Sequence, residues 1–265
     1  MIISAEDVLE MSGVETLHPG GFDLSKRIGE VVNFTSSTHV LDVSSGKGAF
    51  ACMYAKEFGS RITGLEFNPH FVDLARKRAQ REGVTNKVEF KIGDSRKLPF
   101  QDNEFDVVVN ECAVGLAAIN APQRVLDEMV RVTKPGGTIV IHESTWLKPL
   151  AAEERQVAST LMGTTPNSVD EWKQMLVKAG AVPKTVEDWS GIENALKIRP
   201  GLQWNPNSNP ADIFTTREKL SLIPRLLSKY GIGPVLELIR SQKQLIHYQT
   251  DGYIGYALIV SIKSK

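Results

Sequence analysis

Cysteine is scarce in this chain, with Cys52 and Cys112 the only two among 265 residues. Two cysteines are too few for the disulfide framework of a small secreted domain, and their spacing is not that of zinc ligands. We therefore expect a protein of a reducing compartment, the cytoplasm, that binds no metal.

The chain also lacks an excess of charge of either sign and any long apolar run. Lys plus Arg and Asp plus Glu both number 31, which gives a formal net charge of zero, whereas nucleic-acid binders usually carry a basic face. No run of about 18 apolar residues occurs, and the first residues lack the basic and then apolar pattern of a secretory signal. The sequence therefore predicts a soluble protein with neither nucleic acid nor a membrane among its partners.

What the chain does contain is a regular alternation of apolar strands and helices from residue 38 onward. The predicted strands are 39–43, 61–66, 88–92, 105–110 and 138–143, and the predicted helices are 48–58, 68–82 and 121–133. Asn68 before Pro69 is a helix-start signal, and Gly83 is a helix-stop signal. This alternation predicts an α/β fold with an open, doubly wound sheet, whose ligands bind at the carboxyl ends of the strands.

Further helices are predicted on both sides of this core. Residues 1–37 form a predicted helical lead-in, in which Asp23 or Ser25 could cap a helix. Ser168 begins another predicted helix, which Gly180 ends. These capping signals make the helix boundaries readable from local sequence.

The C-terminal part of the chain combines a helical insertion with a final strand. Residues 190–252 form a predicted helical cap, with helices near 216–230, interrupted at Pro224, and 234–247. We expect the last strand, 256–262, at an edge of the sheet. The chain is thus predicted to be a single domain, 1–265, made of a lead-in or lid (1–37), a core (38–145), a cap (190–252) and a last-strand segment (253–265).

The turn that follows the first core strand is the strongest candidate for a ligand site. Residues 44–48 read Ser-Ser-Gly-Lys-Gly between a strand and a helix, which lets the backbone approach a ligand closely. Residues 46–51 also fit the G-x-G-x-x-A fingerprint, and Glu66 lies where a dinucleotide fold places a ribose-binding carboxylate. On this pattern alone, a nicotinamide-dependent oxidoreductase remains open.

Five segments resemble, in order and spacing, the motifs of class I S-adenosylmethionine-dependent methyltransferases. They are 40–48 (motif I), 62–68 (the second-strand acidic motif), 93–95 (the third-strand motif), 98–108 (the approach to strand four) and 132–138 (the turn before strand five). The resemblance covers about residues 38–145. Within this class, the chain is similar to the group that includes ubiquinone and menaquinone C-methylating enzymes. It implies a Rossmann-like, seven-stranded sheet with an antiparallel last strand.

The resemblance also implies a binding site for S-adenosylmethionine, with S-adenosylhomocysteine as product. Glu66 would accept hydrogen bonds from both ribose hydroxyls, Asp94 would accept one from the adenine amino group, and Phe67 would flank the adenine ring. Asp42 would lie near the amino group of the cofactor, and Glu111 near its sulfonium. The full implied set is Asp42, Ser44, Ser45, Gly46, Gly48, Glu66, Phe67, Asp94, Ser95, Asn110 and Glu111.

One residue departs from the family pattern, because Ser44 stands where the first glycine of motif I is usual.

The expected reaction is methyl transfer to a small, uncharged or moderately apolar organic acceptor, carried out by a monomer or a homodimer. His18 and Glu111 are the foremost candidates for a general base, ahead of His142 and Glu143. Ser44 and the absence of an obvious base leave open a third reading, a cofactor-binding protein without catalysis.

Overall fold

A mixed β-sheet forms the centre of the protein in a computed structural model, which describes residues 3, 5–16, 18, 20–116, 120–190 and 216–265. Within these ranges the strands are β1 (His39–Val43), β2 (Arg61–Glu66), β3 (Val88–Ile92), β4 (Phe105–Glu111), β5 (Thr133–Trp146), β6 (Ala181–Asp188) and β7 (Ile254–Lys263). Their order in the sheet is β3-β2-β1-β4-β5-β7-β6. Strands β1 to β5 are parallel, and β7 is antiparallel to both of its neighbours. The predicted α/β class and the antiparallel last strand are confirmed.

The expected edge position of the last strand is wrong. Strand β7 lies between β5 and β6, pairing along its length from Ile254 opposite Trp146 to Ile262 opposite Thr138. The first eight of its ten residues are buried, as suits an interior strand. The edge is β6, whose side chains are mostly exposed or half-buried and which contains Pro183.

Helices cover both faces of the sheet. They are α1 (Ala5–Ser12), α2 (Gly21–Val31), α3 (Ala49–Glu57), α4 (Pro69–Glu82), α5 (Pro122–Val132), α6 (Ala152–Met162), α7 (Val169–Ala179), α8 (Thr216–Tyr230) and α9 (Ile232–Thr250). The Asn68 side chain accepts a hydrogen bond from the backbone N–H of His70, and Gly83 ends α4 at φ 70°. A reciprocal capping box between Ser168 and Glu171 starts α7. These predicted helix ends are confirmed because their signals act locally.

Helix α2 begins differently from the prediction. It starts at Gly21 after Gly20, whose φ of 80° favours glycine, and no side chain caps it. Neither Asp23 nor Ser25 is therefore its N-cap. Ser25 lies inside the helix instead, fully buried, with its hydroxyl facing a carboxylate of the sheet.

Alternation along the central strands divides the core into two apolar layers. Val40 and Val107 belong to the cluster on one face, and Leu41 and Val108 belong to the cluster on the other face. Both faces of β4 are thus covered, as its run of valines predicts. This packing holds the carboxyl ends of β1, β2 and β4 side by side.

Helix α8 packs on the lead-in, and α9 packs on α8, on α6 and on the start of β7. Ile3, Val8, Leu222, Leu226 and Val235 form a separate apolar cluster. Helix α8 runs through Pro224 without the predicted interruption, and α9 extends beyond the predicted 234–247. No helix in the described ranges combines the length and the apolar character needed to cross a bilayer.

Candidate functional site

The turn after β1 has a backbone conformation that is costly for most residues. Ser44, Gly46 and Gly48 have φ values of 63°, 53° and 72°. A Cβ added at Gly48 would lie 2.6 Å from the Phe90 ring, so this glycine is required by packing. A Cβ added at Gly46 would meet no atom of the described residues within 4 Å, so this side of the turn is not packed against them. The turn therefore combines a closely packed side with an open one.

Glu66, at the end of β2, joins this turn to the next loop. Its Oε2 accepts a hydrogen bond from the backbone N–H of Gly46 at 2.9 Å, and its Oε1 accepts one from the N–H of Asn68 at 2.9 Å. The backbone N–H of Ser45 also donates to the carbonyl of Leu65 at 2.9 Å. Glu66 thus fixes the turn at residues 44–48 to the loop after β2 and places a carboxylate at the carboxyl end of that strand.

Asp42 and Ser45 present buried polar atoms to the same region. The Asp42 side chain is buried, and neither its Oδ2 nor Ser45 Oγ has a hydrogen-bond partner within the part of the chain that the structure describes. Burial raises the pKa of Asp42 well above its ordinary value, and the charges of Glu111 and Glu66 raise it further. Unpartnered buried polar atoms are costly, so the arrangement suits a ligand that brings hydrogen-bond donors and positive charge.

Farther along the same sheet edge, Asp94 and Phe67 present a carboxylate and an aromatic ring. Phe67 is 70% exposed, which leaves its ring open to a partner. The guanidinium Nη2 of Arg96 donates to Asp94 Oδ2 at 2.7 Å, and these hydrogen bonds lower the pKa of Asp94. Ser95 beside it is buried. Arg96 is a partner that the sequence did not predict, and a ligand at Asp94 would share the carboxylate with it.

Asn110, at the end of β4, is engaged with the protein's own backbone. Its Nδ2 donates to the carbonyl of Val43 at 3.1 Å, and its Oδ1 accepts from the N–H groups of Ala113 and Val114, each at 3.0 Å. The side chain is fully buried. Asn110 thus fixes the turn after β4 to the end of β1, and direct contact with a cofactor stays a prediction.

Glu111 lies at the centre of a buried polar cluster. The hydroxyl of Ser25 donates to its Oε2 at 2.6 Å, and the hydroxyl of Tyr54 donates to its Oε1 at 2.9 Å. His18 Nε2 lies 3.5 Å from Glu111 Oε2, and both side chains are more than nine-tenths buried. The structure therefore brings together the two residues that the sequence singles out as candidate bases. Ser25 and Tyr54 were missed, because only the fold places these helical residues beside β4.

A second histidine and a cysteine extend this cluster. The His18 ring packs on Phe50 at a centroid distance of 4.5 Å and on His142 at 6.0 Å. His142 Nδ1 lies 3.3 Å from Cys112 Sγ. Burial, and secondarily His18, lowers the pKa of His142 well below its ordinary value, whereas burial raises the pKa of Cys112. Both groups are accordingly neutral near pH 7, and Cys112 is not a reactive thiolate.

Glu143, on β5, holds the loop that follows β4. Its Oε1 accepts a hydrogen bond from the N–H of Val114 at 2.8 Å, and its side chain is buried. Burial raises the pKa of Glu143 to about 8, although hydrogen bonds from the backbone of residues 113–115 partly oppose the shift. Its bonds go to backbone groups, so Glu143 acts here as an anchor of the loop.

Lys47 ties the lead-in to the turn at residues 44–48. Its Nζ donates to the carbonyls of Leu9 at 2.7 Å and Val14 at 2.9 Å. Arg78 Nε donates to the carbonyl of Lys47, and the same guanidinium pairs with Glu15. The segment that the sequence predicts to be a lid is thus attached directly to the candidate site.

Residues 34–180 match the family model described as a methyltransferase domain. Norajmaline N-methyltransferase from Rauvolfia serpentina is 34% identical over 238 residues, which cover 86% of this chain and 76% of that protein. The matched part of this chain spans less than two thirds of the length of other curated relatives, from 27% to 66%.

Two solved structures share the fold at low identity. The cyclase SpnF has a TM-score of 0.74 and 20% identity, with 97% of this chain and 92% of that chain covered. Phosphoethanolamine N-methyltransferase 2 from Haemonchus contortus, in complex with S-adenosyl-L-methionine, has a TM-score of 0.73 and 17% identity, with 99% of this chain and 58% of that chain covered. At such identities the likeness shows the fold alone.

Replacing Ser44 by glycine should stabilise the protein. Ser44 has a φ of 63°, which costs a non-glycine residue roughly 1–2 kcal/mol. Glycine removes this cost, but its greater freedom in the unfolded chain offsets part of the stabilisation. We expect Ser44→Gly to raise the free energy of unfolding by about 1 kcal/mol in urea titrations. Asn103→Gly, at an exposed turn with a φ of 61°, is the control and should gain less, because asparagine tolerates this conformation. A less stable Ser44→Gly protein would show that the hydroxyl is needed for folding.

Replacing Glu143 by glutamine should flatten the dependence of stability on pH. With its pKa raised from 4.5 to about 8, Glu143 binds a proton in the folded state that it loses in the unfolded state. The contribution of the Glu143 carboxyl to the free energy of unfolding is complete below pH 4.5. It is lost as pH rises from there through 8, at up to about 1.4 kcal/mol per pH unit. Urea unfolding at several pH values should show this slope in the wild type and in the exposed control Glu153→Gln, but not in Glu143→Gln. Parallel profiles for all three proteins would contradict the expectation.

Proposed function

Because this chain belongs to the methyltransferase-domain family, in the class of S-adenosylmethionine-dependent enzymes, we propose that it transfers a methyl group to a small organic acceptor. The observation that carries the proposal is the turn at residues 44–48. Its open side at Gly46 is flanked by the carboxylate of Glu66 and by Asp42 Oδ2 and Ser45 Oγ, which have no hydrogen-bond partner among the described residues. The family match gives no support to the oxidoreductase alternative.

The residues present fit S-adenosylmethionine by charge and by hydrogen bonding. When bound, this cofactor supplies an electrophilic methyl group on a positively charged sulfonium. Burial raises the pKa of Asp42, and the negative charges of Glu111 and Glu66 raise it further. A cationic ligand offsets that repulsion, so Asp42 is proposed to hold the amino group of the cofactor.

The ends of β2 and β3 suit the adenosine part of the cofactor. The Glu66 carboxylate, at the end of β2, is proposed to accept from ribose hydroxyls, and Asp94 can accept from an adenine amino group. The exposed ring of Phe67 offers a stacking surface. The open backbone at Gly46 lets the cofactor approach where a side chain would obstruct it.

His18 and Glu111 are proposed to act together on acceptors that lose a proton. Glu111 is held by Ser25 and Tyr54, so its carboxylate has a fixed position from which it orients His18 Nε2. His18 would take the proton, and the adjacent carboxylate would stabilise the resulting imidazolium. Packing on Phe50 holds the ring and excludes water from one of its faces.

The acceptor is proposed to be uncharged or moderately apolar. An aromatic cluster beside the start of β7 contains Trp146, Tyr248 and Tyr253, and the buried Tyr256 packs on His142. Two further aromatic residues of the predicted cap, Trp204 and Phe214, lie outside the described residues. Aromatic walls with a few polar groups are typical of small-molecule sites.

Location and assembly are proposed on sequence grounds. Two unpaired cysteines, Cys52 and Cys112, favour a reducing compartment such as the cytoplasm. The formal net charge of zero argues against nucleic acid as a partner. A monomer and a homodimer both remain compatible with the sequence, and the division into lid, core and cap stays a prediction.

Replacing Gly46 by alanine should weaken cofactor binding more than it weakens the fold. Gly46 and Gly83 both have positive φ and open space around an added Cβ, but Gly83 ends α4 away from the turn at residues 44–48. Both alanine variants should lose about 1 kcal/mol of stability. By calorimetry with S-adenosylhomocysteine, Gly46→Ala should bind roughly tenfold more weakly or worse, whereas Gly83→Ala should bind as the wild type does. Equal affinities in the two variants would place the cofactor elsewhere.

Labelled S-adenosylmethionine should yield a methylated product when the protein is mixed with a metabolite extract. For an acceptor that loses a proton, His18→Gln should lower kcat roughly 100-fold, because a general base contributes at least this factor. Affinity for S-adenosylhomocysteine should stay unchanged, and so should the activity of His70→Gln, an exposed control. Tight binding of S-adenosylhomocysteine with no labelled product from any extract would favour the non-catalytic alternative. An unchanged rate in His18→Gln would assign the proton to another group.

A further inference from the structure

Helices α8 and α9 carry a large share of the exposed apolar side chains of the described chain. Thirteen large apolar side chains are exposed among the described residues, and six of them lie on these two helices. They are Leu220, Ile223 and Leu227 on α8, and Ile232, Leu236 and Ile239 on α9. We call these six residues the outer apolar row. Leu220 and Ile232 are 73% and 70% exposed, so water reaches most of their surface.

The spacing of the outer apolar row is that of a helix face. Its members are separated by three and four residues on α8 and by four and three residues on α9, so on each helix they point the same way. On α8, Leu222 and Leu226 point away from this row and are buried in a cluster with Ile3 and Val8 of the lead-in. Val235 of α9 lies three residues after Ile232 and four before Ile239, so it borders the exposed face and is buried in the same cluster. Helix α8 is thus apolar on two sides, and packing among the described residues accounts for the side of Leu222 and Leu226. Single exposed apolar residues are common, but such rows mark interaction surfaces.

Charge in this segment is strongly one-sided. Residues 216–250 contain six basic and two acidic residues, in a chain whose formal net charge is zero. Two of the six, Arg225 and Lys229, bond to Met11 and Asp7 of the lead-in. Lys243 continues the face of Ile232, Leu236 and Ile239 at the same helical spacing and is exposed, as is Arg240 beside it, whose guanidinium lies 3.7 Å from the Glu237 carboxylate. The surface therefore joins an apolar row to basic side chains with long apolar stems, which can reach over a polar boundary.

We propose that the outer apolar row docks on a lipid surface with anionic headgroups. Helices that lie in a membrane interface carry an apolar face and basic flanking residues, and each basic residue near an anionic surface adds attraction. A twofold dimer through the same face would oppose two positively charged segments, so charge favours the bilayer over a second copy. The inference concerns surface attachment, not a spanning helix, and does not depend on the proposed methyl transfer.

The test compares full-length proteins in a vesicle sedimentation assay. Vesicles of phosphatidylcholine alone are compared with vesicles that contain about 30% phosphatidylglycerol. The test variant is Leu220→Glu/Ile232→Glu, and the matched control is Val157→Glu/Val177→Glu. The control replaces exposed apolar residues of α6 and α7 with the same change in charge. Urea unfolding and S-adenosylhomocysteine binding confirm that each variant is folded.

Binding of the wild type and of the control variant to anionic vesicles, reduced at least tenfold in the test variant, would support the proposal. The binding should weaken on phosphatidylcholine alone and when salt rises from about 0.15 M to about 0.5 M. Equal binding of both variants, or no binding of the wild type, would overturn it. Light scattering that shows a wild-type dimer, broken in the test variant, with no vesicle binding would assign the surface to a second copy instead.

Discussion

The candidate site depends on the left-handed turn at residues 44–48. Ser44, Gly46 and Gly48 all have positive φ, so this short segment is more constrained than its neighbours. Hydrogen bonds from the strands on both sides of β1 stabilise this conformation. Leu65 and Glu66 of β2 accept hydrogen bonds from N–H groups of the turn, and Asn110 of β4 donates one to the end of β1. Ser44 is strained at its positive φ, whereas glycine would not be. The contacts around the turn therefore outweigh the backbone preference of serine at this position.

Charge imposes a second constraint on the same region. Asp42, Glu66 and Glu111 lie close enough for two of the carboxylates to raise the pKa of the third, and Asp42 Oδ2 has no hydrogen-bond partner among the described residues. A protein selected for stability alone would place an apolar group at Asp42, because a buried carboxylate oxygen without a hydrogen-bond partner is costly. The cost is explained when the free protein is regarded as one half of a complex with a cationic cofactor, whose binding returns part of that free energy. Glu111 differs from Asp42 in that Ser25 and Tyr54 already satisfy it, which suits a role in positioning His18.

Local signals in the sequence predicted much of the fold, whereas contacts between residues far apart in the sequence were not predicted. Asn68 with Pro69 and the pair Ser168 and Gly180 fixed helix ends, because capping involves residues only a few positions apart. The place of β7 between β5 and β6 depends on strand pairing across the whole sheet, which no local pattern encodes. The same holds for the site: family motifs marked Asp42, Glu66 and Glu111. Tyr54 and Ser25 look like ordinary helical residues until the fold places them against β4.

Lys47 shows how one residue of the turn can couple the site to distant helices. Burial lowers the pKa of its ammonium group, and the group is satisfied by backbone carbonyls of Leu9 and Val14. Helix α1 is therefore held to the turn through Lys47, and α1 in turn packs on α8, where Lys229 pairs with Asp7 at 3.0 Å. The turn and α8 are thus connected through α1 by hydrogen bonds and packed apolar side chains. Helix α8, which carries half of the outer apolar row, is the last member of this series of contacts, so the candidate site and that surface share the lead-in as a common neighbour.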